Sequence, residues 1–190
     1  PIQCGDNFWI CPSWIEPPDP SATNLLLDPG LAFGTGTHPT TYLCLDWLAK
    51  QSVADQNVID YGCGSGILGI AALLLGAKSV LGVDIDPQAL LATQENTRRN
   101  NIDTTRFPVV FPDKCPSKAF DLVLANILAG PLVELASTLT LLVQSGGKLC
   151  LSGILSSQVP TIIECYKNAF RFEEPSIKEG WACLTATRLP

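Results

Sequence analysis

The sequence predicts an α/β fold in which helices cover both faces of a mostly parallel sheet. Short apolar runs typical of buried strands alternate with longer segments whose apolar residues recur at helical spacing. Two of these runs, residues 58–61 and 80–84, flank a glycine-rich loop and an apolar helix. Because a parallel neighbour needs a long crossover between strands, the strand–helix–strand order favours a parallel sheet.

The predicted elements follow one another along most of the chain. We predict helices at residues 40–50, 67–75, 87–100, 130–143 and 158–169, and strands at residues 58–61, 80–84, 107–110, 120–125 and 148–153. Two further strands, at residues 171–173 and 181–187, are joined by a turn at Glu179 and Gly180. The sequence therefore predicts a seven-stranded sheet that ends in an antiparallel hairpin, unlike a plain doubly wound dinucleotide-binding fold.

The first part of the chain differs in character from the rest. Residues 1–24 are interpreted as a connector, because the prolines at positions 12, 17, 18 and 20 interrupt regular structure there, and residues 25–190 as the folded domain. The connector is either a strap packed on the domain edge or a hinge to a missing N-terminal domain. The start at Pro1 and the lack of methionine favour a fragment.

The composition favours a folded cytoplasmic protein. Hydrophobic residues make up 46% of the chain and charged residues 16%, which argues against disorder. The net charge of -6 disfavours direct binding to nucleic acid. We find no signal peptide and no apolar stretch long enough to cross a membrane, so no membrane partner is expected.

The eight cysteines are expected to be buried, reduced thiols that pack as small hydrophobic groups. They form no C-x-x-C pair, and His38 is the only histidine. The chain therefore has almost no ligand set for a zinc cluster, and no metal site is predicted.

The sharpest motif is the loop after the strand at residues 58–61, which contains Gly62, Gly64 and Gly66. Glycine lets a ligand approach the backbone closely, and the N-terminus of the following helix presents N–H groups to an anion. Asp84 ends the next strand 22 residues after Gly62, the offset at which an acid can bind both ribose hydroxyls. The motif predicts an adenosine-containing ligand.

NAD is an alternative ligand for this loop, because residues 64–69 match the pattern G-x-G-x-x-G. In the dinucleotide fingerprint, however, the first glycine follows the strand directly; counted from Gly62, the third glycine would fall at Ile67. Asp60 and Asp84 instead make the region similar to the class I methyltransferases, which have a Rossmann-like fold and bind S-adenosylmethionine. A purely structural tight turn stays open as a third interpretation.

Two further motifs make the resemblance more specific. They are DPGLAFGTGTHPTT at residues 28–41 and ANILAGPL at residues 125–132. Together with the glycine loop, they resemble the ribosomal protein L-eleven methyltransferase family in content and order, and the resemblance runs from about Gly5 through the hairpin. It implies transfer of methyl groups from S-adenosylmethionine to lysine ε-amino groups, and also to an N-terminal α-amino group, of a large-subunit ribosomal protein.

The resemblance also implies which residues form the site. Cofactor contacts are expected at Thr41, Gly62, Asp84 and Asn126, with Gly64 and Gly66 extending the loop contact. A flap over the cofactor would consist of Phe33, Gly34, Thr35, Gly36 and Thr37. In the family a separate N-terminal domain holds the ribosomal protein, and we expect substrate capture to depend mainly on that domain, which is missing here.

Asn126 is the expected catalytic residue. Its side-chain oxygen could accept the hydrogens of a neutral amine and aim the lone pair, so that no strong base is needed. Many amino-directed methyltransferases carry Asn-Pro-Pro-Tyr at this point, whereas this chain has Asn-Ile-Leu, which suits a flexible aliphatic amine rather than a planar base. His38 precedes Pro39 at a helix start, where a structural role is favoured over a general base.

Three other functions remain open at this stage. One is a methyltransferase of the same fold that acts on a nucleic acid or a small amine. The second is an NAD-dependent oxidoreductase, although no His/Asp or Tyr/Lys grouping for hydride transfer is evident. The third is a non-catalytic cofactor-binding module that regulates a partner.

Overall fold

The structure, a computed structural model, describes residues 1–28 and 38–190. Its strands are β1 (Ile2–Gln3), β2 (Phe8–Cys11), β3 (Thr23–Leu26), β4 (Asn57–Tyr61), β5 (Ser79–Val83), β6 (Val109–Val110), β7 (Phe120–Asn126), β8 (Val143–Leu155), β9 (Phe170–Phe172), β10 (Ser176–Lys178) and β11 (Trp181–Arg188). Its helices are α1 (Pro39–Ala49), α2 (Ile67–Leu74), α3 (Pro87–Arg99), α4 (Ala129–Glu134), α5 (Ala136–Leu142) and α6 (Val159–Tyr166).

Within the described residues, the main sheet has eight strands in the order β10-β11-β8-β7-β4-β5-β6, with β9 also paired to β11. Strands β4 to β8 run parallel to their neighbours, and β11 runs antiparallel to β8. The chain leaves β4 towards β5 on one side and returns to β7 on the other. This reversal places a crevice at the carboxyl ends of β4, β5 and β7, where open α/β sheets bind ligands.

The two faces of the sheet can be followed along β7. Leu122 and Leu124 belong to one apolar cluster, which includes residues of α1 and α2. Val123 and Ala125 belong to a second cluster, which includes residues of α5 and α6. Because successive side chains of a strand point to opposite faces, helices cover both faces of the sheet, as predicted.

The C-terminal hairpin differs in detail from the prediction. Its tight turn does lie at Glu179 and Gly180, whose φ values of 52° and 81° suit a two-residue hairpin turn. The strand that enters this turn, however, is β10, which was not predicted because its three residues are too few to show a strand pattern and are all exposed. β9 and β10 pair with opposite ends of β11, on the edge away from β8. The eight described strands therefore occupy seven positions, in agreement with the seven predicted.

The predicted helix at residues 130–143 is two helices, α4 and α5, which are separated at Leu135. Leu132, Leu139 and Leu142 are buried and keep helical spacing across the break. Apolar periodicity alone therefore could not reveal it. Strand β6, as expected from Pro108, lies at the edge of the sheet.

Residues 1–26 contain a small sheet that was not predicted. β2 pairs with β1 and β3, and the prolines at positions 12, 17, 18 and 20 lie in the segment between β2 and β3. Phe8 and Leu25 are buried in the same cluster as residues of α1 and α2. At β3, the side chain of Asn100 accepts a hydrogen bond from Leu26 N–H at 2.7 Å and donates one to Leu26 C=O at 2.9 Å. This segment is thus packed on the domain.

Among the residues that the structure describes, no helix combines the length and apolarity that a membrane crossing requires.

Candidate functional site

The residues predicted from the glycine loop meet at the carboxyl ends of β4 and β5. Gly62, Gly64 and Gly66 have φ values of 80°, 55° and 83°, in the left-handed region that favours glycine. A Cβ on Gly62 would lie 2.5 Å from Ile127 Cγ2, and a Cβ on Gly66 would lie 2.8 Å from Thr93 Cγ2. Backbone conformation and the lack of space therefore both require glycine at these two positions.

The carboxylate of Asp84 is connected directly to this loop. Its Oδ2 accepts a hydrogen bond from Gly64 N–H at 2.9 Å, and its Oδ1 accepts one from Asp86 N–H at 3.0 Å. The side chain is partly buried. Since each carboxylate oxygen can accept more than one hydrogen bond, Asp84 is held in place and retains acceptor capacity for hydroxyl donors.

Helix α3 supports the loop from behind through two polar residues that were not predicted as part of the site. Thr93 Oγ1 donates a hydrogen bond to Gly64 C=O at 3.1 Å, and Asn96 Nδ2 donates one to Ser65 C=O at 2.9 Å. Both side chains are buried. The available signal was a polar residue at each of positions 93, 96, 97 and 100, the helical spacing of one face.

Asp60, the acid before the loop, is buried rather than exposed to a ligand. Its Oδ2 accepts a hydrogen bond from Gly69 N–H in the first turn of α2 at 3.1 Å. Burial raises the pKa of Asp60 to about 7, against the lowering effect of the Gly69 hydrogen bond; Cys44 and Asp84 raise it further. Asp60 therefore joins β4 to α2 with a carboxyl group that titrates near neutral pH.

Asn126 and Thr41, which are 85 residues apart in the sequence, meet at the end of β7. Asn126 Nδ2 donates a hydrogen bond to Thr41 Oγ1 at 3.1 Å. Thr41 is buried on α1, whereas Asn126 is partly buried. Because the amide nitrogen is directed at α1, the other branch of the amide, the acceptor Oδ1, points away from Thr41. The pair thus provides an oriented acceptor at the same edge of the sheet as Asp84.

Ile127 links this pair to the loop, a packing role that was not predicted from the sequence. Its N–H donates to Ser152 C=O at 3.1 Å, and its side chain lies against Gly62. Gly153 has a φ of 87°, and a Cβ there would collide with the Ile127 carbonyl. Ile127 therefore packs between the glycine loop and β8.

His38 begins α1, as expected for a structural residue. Its Nδ1 accepts a hydrogen bond from Thr40 N–H at 3.2 Å and lies 2.9 Å from Thr40 Oγ1. Its ring also packs edge-on against Trp181, with 5.1 Å between ring centroids. These contacts give His38 the role of a helix cap that joins α1 to the hairpin.

The predicted flap residues lie outside the described residues, namely Phe33, Gly34, Thr35, Gly36 and Thr37.

The cysteines largely agree with expectation, because all eight are free thiols and six are buried. Cys165 is exposed and Cys115 is partly exposed, which corrects the prediction for those two. Cys165 lies on the amphipathic helix α6, of which only Ile162 and Tyr166 are buried.

Comparison with known proteins gives consistent matches over the whole chain. The family model described as Ribosomal protein L11 methyltransferase (PrmA) matches residues 1–189. The ribosomal protein L11 methyltransferase of Teredinibacter turnerae is 64% identical over 188 residues, which are 99% of this chain and 63% of that protein. That of Saccharophagus degradans is also 64% identical, over 99% of this chain and 64% of that protein. The chain thus spans somewhat under two thirds of the length of these relatives.

Solved structures show the same likeness. The structure of a ribosomal protein L11 methylase from Lactobacillus delbrueckii subsp. bulgaricus superimposes with a TM-score of 0.87 at 34% identity, over 100% of this chain and 98% of that one. A methyltransferase from Pyrococcus furiosus superimposes with a TM-score of 0.68 at 15% identity, over 87% of this chain and 90% of that one, which supports the fold alone.

Proposed function

The chain belongs to the ribosomal protein L11 methyltransferase family, and on that premise we propose that it binds S-adenosylmethionine and transfers methyl groups to amino groups of ribosomal protein L11. One observation carries the proposal: the Asp84–Gly64 pair and the Asn126–Thr41 pair lie at the same edge of the sheet, where the strand order reverses. The first pair suits a nucleoside and the second suits an amine. The NAD-dependent oxidoreductase considered from the sequence is not supported by this family.

The residues around the loop fit the proposed cofactor. The positive φ values of Gly62, Gly64 and Gly66 leave the backbone free of side chains on the approach, and Asp84 retains acceptor capacity for ribose hydroxyls. Thr41, at the start of α1, offers a further polar group. S-adenosylmethionine, when bound, supplies a methyl group on a positively charged sulfonium.

For the acceptor we propose a lysine ε-amine and, as a second group, an N-terminal α-amine. Asn126 Oδ1 would accept a hydrogen bond from the neutral amine and thereby aim its lone pair. Positioning of this kind removes roughly 7–11 kcal/mol from a bimolecular barrier. Leu128, two residues further on and 67% exposed, offers an aliphatic surface for the lysine stem. Neither the Asn126 hydrogen bond nor the Leu128 contact needs a basic side chain if the amine arrives unprotonated.

We further propose that a region outside these 190 residues captures most of the protein substrate, in agreement with the expectation from the sequence. A cytoplasmic location is part of the same proposal, because ribosomal proteins are made and assembled there.

Calorimetric titration with S-adenosylmethionine tests the cofactor site. We expect binding to this chain and a loss of at least about tenfold in affinity for Asp84→Asn, because an amide cannot accept the same set of hydrogen bonds. Asp103→Asn is the matched control, since Asp103 also accepts a backbone N–H, from Thr105, but lies in the connection between α3 and β6 and outside the glycine loop. Binding of NAD instead, or equal effects of both variants, would contradict the proposal.

A methylation assay with purified ribosomal protein L11 tests the reaction. The 190-residue chain should transfer methyl groups with a much lower kcat/KM than a longer protein that contains the remaining third of its relatives' length. Mass spectrometry of digested substrate then shows whether lysine side chains are modified. Equal kcat/KM for the two proteins would contradict the proposal that a region outside this chain captures the substrate. Unmodified lysine side chains would contradict the proposal that the ε-amine is the acceptor.

A further inference from the structure

Three cysteines from distant parts of the chain meet beneath α1. Cys150 Sγ on β8 lies 3.8 Å from Cys44 Sγ on α1 and 3.6 Å from Cys183 Sγ on β11. All three sulfur atoms lie within 4.8 Å of one another, and none of the three residues is more than 2% exposed. The spacing along the sequence, 106 residues from Cys44 to Cys150, hides this cluster from any motif search.

We propose that Cys44, Cys150 and Cys183 form a binding site for one soft, thiophilic metal ion, and that Cu(I) is the ion whose coordination fits it best. Three sulfur atoms placed symmetrically about one ion at about 2.3 Å are about 4.0 Å apart. The two separations from Cys150 Sγ, 3.8 Å and 3.6 Å, therefore need to change by only a few tenths of an ångström, and the third sulfur pair lies within 4.8 Å. Thiolates are also among the ligands that Cu(I) prefers, as a soft metal ion.

The number of ligands argues against Zn²⁺. Structural zinc sites are almost always four-coordinate. Among residues 1–28 and 38–190, no fourth histidine, cysteine or carboxylate offers a ligand atom within 4.8 Å of all three sulfur atoms. A three-sulfur set is complete for a trigonal Cu(I) ion and incomplete for a tetrahedral ion.

Metal binding at the cluster exchanges thiol protons for the ion. Binding forms copper–sulfur bonds and breaks S–H bonds, with the protons released to solvent and no electron transferred.

The position of the cluster gives the ion a structural consequence. Cys44 lies one helical turn after Thr41, and Cys150 lies two residues before Ser152, whose hydroxyl donates to Thr40 C=O at 3.1 Å. An ion bound to all three sulfurs would connect α1, β8 and β11, the elements that meet beside the Asn126–Thr41 pair. We therefore expect loading to stabilise the fold and to hold the start of α1 in place.

The test is anaerobic loading of the 190-residue chain with one equivalent of Cu(I) in competition with bicinchoninate. We expect one ion retained per chain, X-ray absorption from three sulfur neighbours at about 2.3 Å, and a rise in Tm of roughly 5–10 °C. Cys150→Ala should lower the affinity at least about 100-fold. Two controls, Cys4→Ala, also buried but outside the cluster, and Cys165→Ala, exposed, should keep it.

The contrary results are equally specific. A folded wild-type chain that loses Cu(I) to the chelator, or a Cys150→Ala variant that retains it, would overturn the site, as would loss of two thiols to a disulfide in place of metal binding. If Cys150→Ala does not fold by circular dichroism, Cys183→Ser replaces it with the same expected loss, because Cys183 lies at the end of the cluster on β11.

Discussion

The two halves of the candidate site are built in different ways. The cofactor half, from Asp60 to Asn96, lies within one strand–helix–strand–helix segment, and its hydrogen bonds join residues at most about 31 positions apart. The acceptor half joins α1, β7 and β8, with partners 85 and 112 residues apart. The first half is encoded locally, whereas the second exists only once the sheet has assembled. Substitutions in the two halves should therefore differ in their effects on stability, on pH dependence and on kcat.

The largest effect is expected at Gly153 in the acceptor half. Gly153→Ala should lower the free energy of unfolding by about 3 kcal/mol. The added Cβ would collide with the Ile127 backbone, and alanine would also have to adopt the unfavourable positive φ. Gly146→Ala is the matched control: its φ is also positive, at 77°, but no atom lies within 4 Å of the added Cβ, so the loss should be about 1 kcal/mol. Urea denaturation measures both, and equal losses would mean that the Ile127 contact carries no energy.

The next effect concerns Asp60 in the cofactor half. Its pKa is raised from 3.8 to about 7 in the fold, so between these values the folded state holds a proton that the unfolded state releases. Stability from this group is complete below about pH 4 and is lost as the pH rises through 7. Between pH 5 and 7, the free energy of unfolding of the wild type should fall by about 2 kcal/mol relative to that of Asp60→Asn. Denaturation curves across this range measure the difference, and parallel pH profiles would show that Asp60 ionises normally.

The smallest effect is expected at Thr41, where only one hydrogen bond is removed. Thr41→Val leaves the Asn126 amide without its acceptor, which should lower kcat about tenfold through misorientation of the amide. Thr40→Val is the control, since its hydroxyl contacts His38 instead. A fall in affinity for S-adenosylmethionine with unchanged kcat would show that Thr41 serves the cofactor half alone.

The difference between the halves also explains what could be predicted. The glycine loop, Asp84 and the strands on either side follow from local patterns, and the structure brings Gly64 and Asp84 into contact. Asn126 and Thr41 were named only through the family resemblance, and no periodicity indicated that they would touch. The support from Thr93 and Asn96 was missed because a polar residue on a helix is ordinarily assigned to solvent.

The sequence by itself determined most of the order of strands and helices from α1 onwards, the glycine positions and the acid after β5. These features depend on residues close together in the chain, where steric limits and apolar periodicity act directly. Tertiary structure alone decided the small N-terminal sheet, the exposed strand β10, the packing of Ile127 against Gly62 and the meeting of Cys44, Cys150 and Cys183. Each of those depends on which faces of the strands and helices pack together in the core, and local sequence patterns do not specify this packing.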